Sequence, residues 1–217
     1  DGLIMSPAIG TPAPDIHLAE QNDLPVTLIA RTVEGCGVTS FSGDDSYGMR
    51  LAVNHLIGKG YRRIAMVGGT DLTSTGRERE RGYREALAEA GIAYRPEWRI
   101  PGPRSRHSGF DAVAGFLRLP ERPDAVACFS DLVALGFMYG LAREGLRPGV
   151  DIAVTGYDDI DEAAIAMPSL TTVANGQSEV GRRAAAALLA RLNGAPAVES
   201  VELITPQIKV RQSTEGL

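Results

Sequence analysis

Cysteine is scarce: Cys36 and Cys128 are the only two, and they form neither a C-x-x-C pair nor a zinc spacing. A disulfide-stapled scaffold is therefore excluded, and two incidental thiols in a reducing compartment are expected. His17, His55 and His107 are scattered, with no second ligand at metal spacing beside any of them, so no metal site is expected. No apolar run is long enough to span a bilayer, which argues against a membrane partner. The opening Asp1-Gly2-Leu3-Ile4-Met5 lacks a basic stretch followed by a long apolar one, so the chain reads as cytoplasmic. Basic charge is short as well. Twenty-two Lys and Arg against 27 Asp and Glu leave a net charge of -5, whereas a surface that grips DNA phosphates is usually basic.

Motifs of chemistry are missing too. There is no G-x-G-x-x-G, no G-x-x-x-x-G-K-[ST] and no G-x-S-x-G elbow, and nothing asks for a cofactor. Asp44–Asp45 and Asp158–Asp159 are sequence neighbours that point different ways, so neither is evidence of an acid/base pair. The expectation is a protein that is not an enzyme.

What remains is an ordinary globular composition, 44% apolar and 23% charged over 217 residues, enough for one large domain or two small lobes. Short apolar runs rich in β-branched residues predict buried strands at 3–5, 26–30, 64–67, 125–129 and 152–155, with a further strand at 201–204. Helical spacing links Met49, Ala52, Val53, Leu56 and Ile57; then Tyr83, Ala86, Leu87 and Ala90; then Leu135, Met138, Tyr139 and Ala142; and finally Val180, Ala184, Ala187 and Leu188. Gly60, Gly91 and Gly145 follow the first three where a left-handed residue ends a helix. Alternating strands and helices predict an α/β fold with parallel sheets and right-handed crossovers. In such folds ligands sit beyond the carboxyl ends of the strands, which directs attention to the loops 6–14, 68–75, 130–131 and 156–161.

Three stretches carry a resemblance. The first holds Asp44-Asp45-Ser46-Tyr47-Gly48, Asn54-His55-Leu56-Ile57 and Gly60-Tyr61-Arg62-Arg63-Ile64-Ala65-Met66-Val67-Gly68-Gly69. The second is Arg79-Glu80-Arg81-Gly82-Tyr83, then Ala86-Leu87 and Gly91-Ile92. The third is Gly156-Tyr157-Asp158-Asp159, Pro168-Ser169-Leu170-Thr171-Thr172-Val173 and Val210-Arg211-Gln212-Ser213-Thr214. In order and spacing they resemble the effector-binding part of the lactose-repressor/galactose-repressor (LacI/GalR) family, with Tyr61 where that family more often has His.

The resemblance implies two Rossmann-like lobes with parallel sheets and a ligand cleft between them, an architecture called periplasmic binding protein-like. It assigns 1–58 to a partial first lobe, 59–174 to the second, 175–204 to the first on its return, and 205–217 to a C-terminal strand of the second. The chain would cross near Gly58, Asn175–Gly176 and Thr205. Compared with the family it starts late, without the helix-turn-helix and the first strand–helix units, so a longer chain is expected. The implied partners are a small-molecule effector (a sugar, sugar acid or sugar phosphate), a second copy in a homodimer, and operator DNA reached only through that headpiece. The alternative is a periplasmic sugar-binding protein of a transport system, which shares the two-lobed fold.

The resemblance also singles out residues for the effector. Arg79 matches the arginine that forks onto effector hydroxyls or a carboxylate, although the run Arg77-Glu78-Arg79-Glu80-Arg81 by itself reads as a solvated helix face. Asp158 follows a strand and suits two sugar hydroxyls; capping the segment from Ile160 is the competing role. Asp44 matches a cleft position and equally suits a cap for the helix beginning at Ser46. Thr73, Thr75, Ser6, Ser130 and Asn175 match further polar contacts. Arg104 falls where many members stack an aromatic. It cannot supply that surface, and with Arg79 it favours an anionic effector unless it points to solvent.

Overall fold

The computed structural model describes residues 1–215; the last two residues of the 205–217 segment lie outside the described residues. Two sheets organise the chain. The first has four parallel strands in the order β1 (Leu3–Met5), β2 (Val26–Ile29), β3 (Thr39–Gly43), β9 (Ser200–Ile204). The second has six in the order β10 (Gln207–Lys209), β8 (Thr171–Ala174), β7 (Ala153–Tyr157), β6 (Ala125–Cys128), β4 (Ile64–Val67), β5 (Arg99–Ile100). Its pairings are parallel except β10 on β8. This is the expected α/β class.

Each strand's period of two sends alternate residues to opposite faces. Ala65, Val67, Val126, Cys128 and Val154 share one core with α4 (Arg106–Leu117) and α5 (Asp131–Arg143). Ile64, Met66, Ala127 and Val173 share another with α2 (Asp45–Gly58) and α3 (Ser74–Glu89). Both faces of the larger sheet are thus covered, which is why its strands read as continuous apolar runs. The smaller sheet packs on α1 (Ala13–Gln21) and α7 (Gln177–Leu192), with cores around Leu28 and Phe41. Both cysteines are buried and free. Gly60, Gly91 and Gly145 have φ of 95°, 67° and 77°, the left-handed helix ends expected of them.

Two expectations need correction. Helix α2 packs on the six-stranded sheet, so the chain first leaves the smaller sheet at Asp44 and not near Gly58. The spacing that predicts α2 gives an apolar face but not the sheet it meets. Tyr139 is 60% exposed and Ala142 is exposed, because α5 buries the stripe Val133, Phe137, Leu141 against α4 and the sheet. Strands β3, β5 and β8, helices α1 and α4 and the short helix α6 (Asp161–Ile165) add to the elements that the sequence patterns predict. The chain returns to the smaller sheet between β8 and α7 and leaves it again between β9 and β10.

Candidate ligand-binding cleft

A cavity of about 220 Å³ opens between the sheets, beyond the carboxyl ends of their strands. Ile9 and Arg31 reach it from the smaller sheet, after β1 and β2. Thr73, Thr75 and Arg79 reach it from the start of α3, Arg104 from the loop after β5, and Phe129 and Asp158 from the ends of β6 and β7. Five residues singled out from the sequence therefore converge: Thr73, Thr75, Arg79, Arg104 and Asp158.

Arg79 is 5% exposed, not a solvated surface charge. It lies on the inward stripe of α3 with Tyr83, Ala86 and Leu87, at i, i+4, i+7 and i+8, while its charged neighbours Arg77 and Arg81 face out. Its Nε donates to Asp45 Oδ1 at 2.7 Å and its Nη1 donates to the Phe129 carbonyl; its Nη2 lies 3.5 Å from Asp158 Oδ1. The guanidinium lies over the rings of Tyr157, 3.7 Å from the centroid, and Phe129, 4.6 Å away. Burial opposes the Arg79 charge, but Asp45, Tyr157 and Asp158 more than offset it and hold the group protonated. Burial also pushes the Asp45 carboxyl up from its ordinary value, with Arg79 pulling against it.

Asp158 does not cap the segment after it; that backbone N–H, on Ile160, donates to Asp131 at 2.9 Å. Its own carboxylate receives Arg104 Nη2 at 2.8 Å and Asn175 Nδ2 at 3.3 Å. Asp158 has φ of 117° and Asp159 of 54°, positions that L side chains rarely adopt and that cluster at binding sites. Arg104, half exposed, turns into the cleft onto Asp158 and not to solvent.

The remaining expectations divide. Thr73 caps α3, its Oγ1 accepting from Gly76 N at 3.0 Å, and it lies 3.2 Å from Thr75 Oγ1. Asp44 caps α2 through Tyr47 N at 2.9 Å and lines a neighbouring recess of the cleft with Asp45 and Thr75. Asn175 touches the site through Asp158. Ser130 is fully buried as the cap of α5, and Ser6 is exposed; the structure brings neither to the cavity wall. Sequence reasoning missed Asp45, Arg31 and Phe129. A signal existed for each. Asp45 sits on the inward stripe of α2 with Met49, Ala52 and Val53, and Arg31 follows a strand's carboxyl end. Phe129 ends the strand predicted at 125–129, where a side chain faces the ligand side.

Fold and cleft together define an α/β domain of two mainly parallel sheets with a cavity between them, and no described helix is long and apolar enough to cross a membrane. The family described as periplasmic binding protein-like domain matches residues 53–214. The HTH-type transcriptional repressor PurR of Photobacterium profundum is 31% identical over 200 residues, 92% of this chain and 60% of that protein. The HTH-type transcriptional repressor CytR of Escherichia coli K12 is 31% identical over 219 residues, 100% of this chain and 63% of that protein. Among solved structures, a complex of the transcriptional regulator CelR with cellobiose superposes with a TM-score of 0.89 at 32% identity, covering 98% of this chain and 65% of that one. The chain belongs to the periplasmic binding protein-like domain family, and its homologues are LacI-type transcriptional repressors. It spans about three fifths of the length of those two relatives.

Proposed function

We propose that this chain is the effector-sensing part of a bacterial LacI-type transcriptional repressor, acting in the cytoplasm. A small polar ligand binds between the lobes and changes how an N-terminal headpiece meets operator DNA. The observation that carries this reading is the cavity built from both lobes, with Arg31 on one side and Thr73, Thr75 and Asp158 on the other. A ligand that touches both walls binds one lobe arrangement better than another, and that difference is what a switch requires. The repressor relatives and the cellobiose held by CelR support a regulator and a sugar-like ligand over a transport protein or an enzyme.

A homodimer belongs to this proposal. Tyr139, Ile165 and Met167 are apolar and 60%, 78% and 96% exposed, which suits surface covered by a second copy. The division into lobes is proposed to follow the sheets: 1–44 and 175–204 in one, 45–174 and 205 onward in the other.

The test is thermal unfolding against a panel of sugars, sugar acids and sugar phosphates. A ligand at about a hundred times its dissociation constant adds roughly 2.7 kcal/mol of stability. The stabilisation should vanish in Asp158→Asn and weaken in Thr75→Ala. A ligand whose effect both variants leave intact binds elsewhere and refutes the cleft.

A further inference from the structure

We infer that the ligand of this cleft carries one anionic group on a hydroxylated body, and that Arg31 and Arg104 clamp that group from opposite lobes. The inference rests on the cleft being the ligand site and names the ligand's class.

The charges in the cavity do not balance. Arg31, Arg79 and Arg104 reach the wall, against one carboxylate in the wall, Asp158, and one behind it, Asp45. Arg79 is already engaged: its Nε and Nη1 donate to Asp45 and the Phe129 carbonyl, its Nη2 lies 3.5 Å from Asp158, and the guanidinium lies over two aromatic rings. Arg104 pairs with Asp158. Arg31 pairs with no carboxylate among the described residues; its Nη1 donates only to the Pro7 carbonyl at 2.8 Å. One positive charge is left over at the cavity wall, where an anion would meet it.

The backbone is bent to put these groups there. Ala30, directly before Arg31, has φ of 63°, and Asp158 has 117°. Neither residue is glycine, so both conformations cost energy that the surrounding fold maintains. Arg104 hangs from a loop fixed to the sheet by Gly102 N donating to the Gly69 carbonyl at 3.2 Å. Both arginines are thus delivered from held positions at strand ends, one per lobe.

The Arg104–Asp158 pair then selects among ligands. Asp158 is the wall's one carboxylate acceptor for ligand hydroxyls, and Arg104 covers its Oδ2 at 2.8 Å. A neutral sugar must displace Arg104 and leave it unpaired, a cost that discriminates against the wrong ligand. A carboxylate or phosphate on the ligand offers Arg104 a replacement partner, releases Asp158 for hydroxyls, and supplies the charge that Arg31 lacks. Bidentate geometry on either anion suits guanidinium. An anion held by both arginines also draws the lobes together.

Calorimetric titration of the protein with matched pairs tests this: glucose against glucuronate, gluconate and glucose 6-phosphate, and galactose against galacturonate. The anionic member of at least one pair should bind about tenfold or more tightly than its neutral parent. Arg31→Gln should erase that ratio. Arg104→Gln should erase it too and raise the affinity of the neutral parent, because Asp158 is then uncovered; a merely structural role would not raise it. Thermal unfolding of both variants in the absence of sugar checks that they fold. Preference for the carboxylates or for the phosphate tells which anion fits. A neutral sugar that binds as well as its acids, with binding lost in Asp158→Asn, overturns the anionic clamp and leaves the cleft standing. Binding of no sugar in either form overturns both.

Discussion

Asp45 and Arg79 hold equivalent places on two neighbouring helices and meet across them at 2.7 Å. Each stands four residues before the first large apolar residue of its helix's inward stripe, Met49 on α2 and Tyr83 on α3. A charge placed on such a stripe is forced inside when the helix docks, and only a partner placed the same way makes that tolerable. The pair sets the floor of the cleft before any ligand arrives.

Removing one partner should therefore cost far more than removing both. Asp45→Ala leaves the buried Arg79 with the 3.5 Å contact to Asp158 as its one carboxylate partner, and about 3–5 kcal/mol of stability should be lost in denaturant unfolding. Asp45→Ala combined with Arg79→Met should be more stable than Asp45→Ala alone. A single variant that unfolds within about 1 kcal/mol of the parent would show that the pair is solvated.

The helices that carry the pair cross closely at Gly82. A methyl group there would stand 2.1 Å from the Ser46 carbonyl, a backbone atom that cannot swing away. Gly82→Ala should cost about 1–3 kcal/mol as the helices separate. It should also weaken ligand binding, since Asp45 and Arg79 move apart with them. Melting temperature together with ligand titration reads both effects.

Thr73 and Thr75 separate folding from binding. Thr73→Ala removes the cap of α3 and should cost about 1 kcal/mol, most of it returned by Thr73→Ser. The Thr75 hydroxyl bonds only Thr73 among the described residues, so Thr75→Ala should be close to neutral for stability while lowering ligand affinity. Equal stability losses in the two variants would contradict this assignment.

Asp131 should give the stability a pH dependence. It is fully buried, and burial pushes its carboxyl up to about 6, against the pull of the Thr172 hydroxyl and Ile160 N. A carboxyl whose folded value lies above its unfolded one keeps its proton longer in the folded state. Its contribution then weakens as pH rises from about 4 to 6 and is constant beyond. Asp131→Asn cannot lose that proton. Across that window the parent should lose up to roughly 2–3 kcal/mol relative to Asp131→Asn, since each tenfold change in proton affinity is worth about 1.4 kcal/mol. Parallel denaturant curves at pH 4, 5, 6 and 7 check it, and a constant difference would rule it out.

Much of the fold is legible in the sequence because periodicity and strand ends obey simple geometry. The strands at 64–67, 125–129 and 152–155 show themselves because both faces of their sheet are covered. Strand β3 does not. Thr39-Ser40-Phe41-Ser42-Gly43 has the composition of a loop, and it is a strand because β2 and β9 both pair with it. Helix α4 is hidden by its glycines. One of them, Gly109, is required where a side chain would strike the Val133 carbonyl of α5, so packing chose a residue that propensity disfavours. In the cleft, the motifs locate Arg79 and Asp158, whereas their companions Asp45 and Arg31 emerge only on asking which charged residues lie on inward stripes or strand ends. The Arg104–Asp158 contact joins residues 54 positions apart, a pairing that neither residue's neighbours encode.

The three passages between the sheets have a mechanical consequence. Asp44 N bonds the Ile204 carbonyl at 2.9 Å, tying the first passage to the third, and Asn175, in the second, bonds Asp158. The passages are thus laced to one another and to the cavity wall and do not run independently between the sheets. A ligand held against Asp158 is therefore one hydrogen bond away from the segments that join the two sheets.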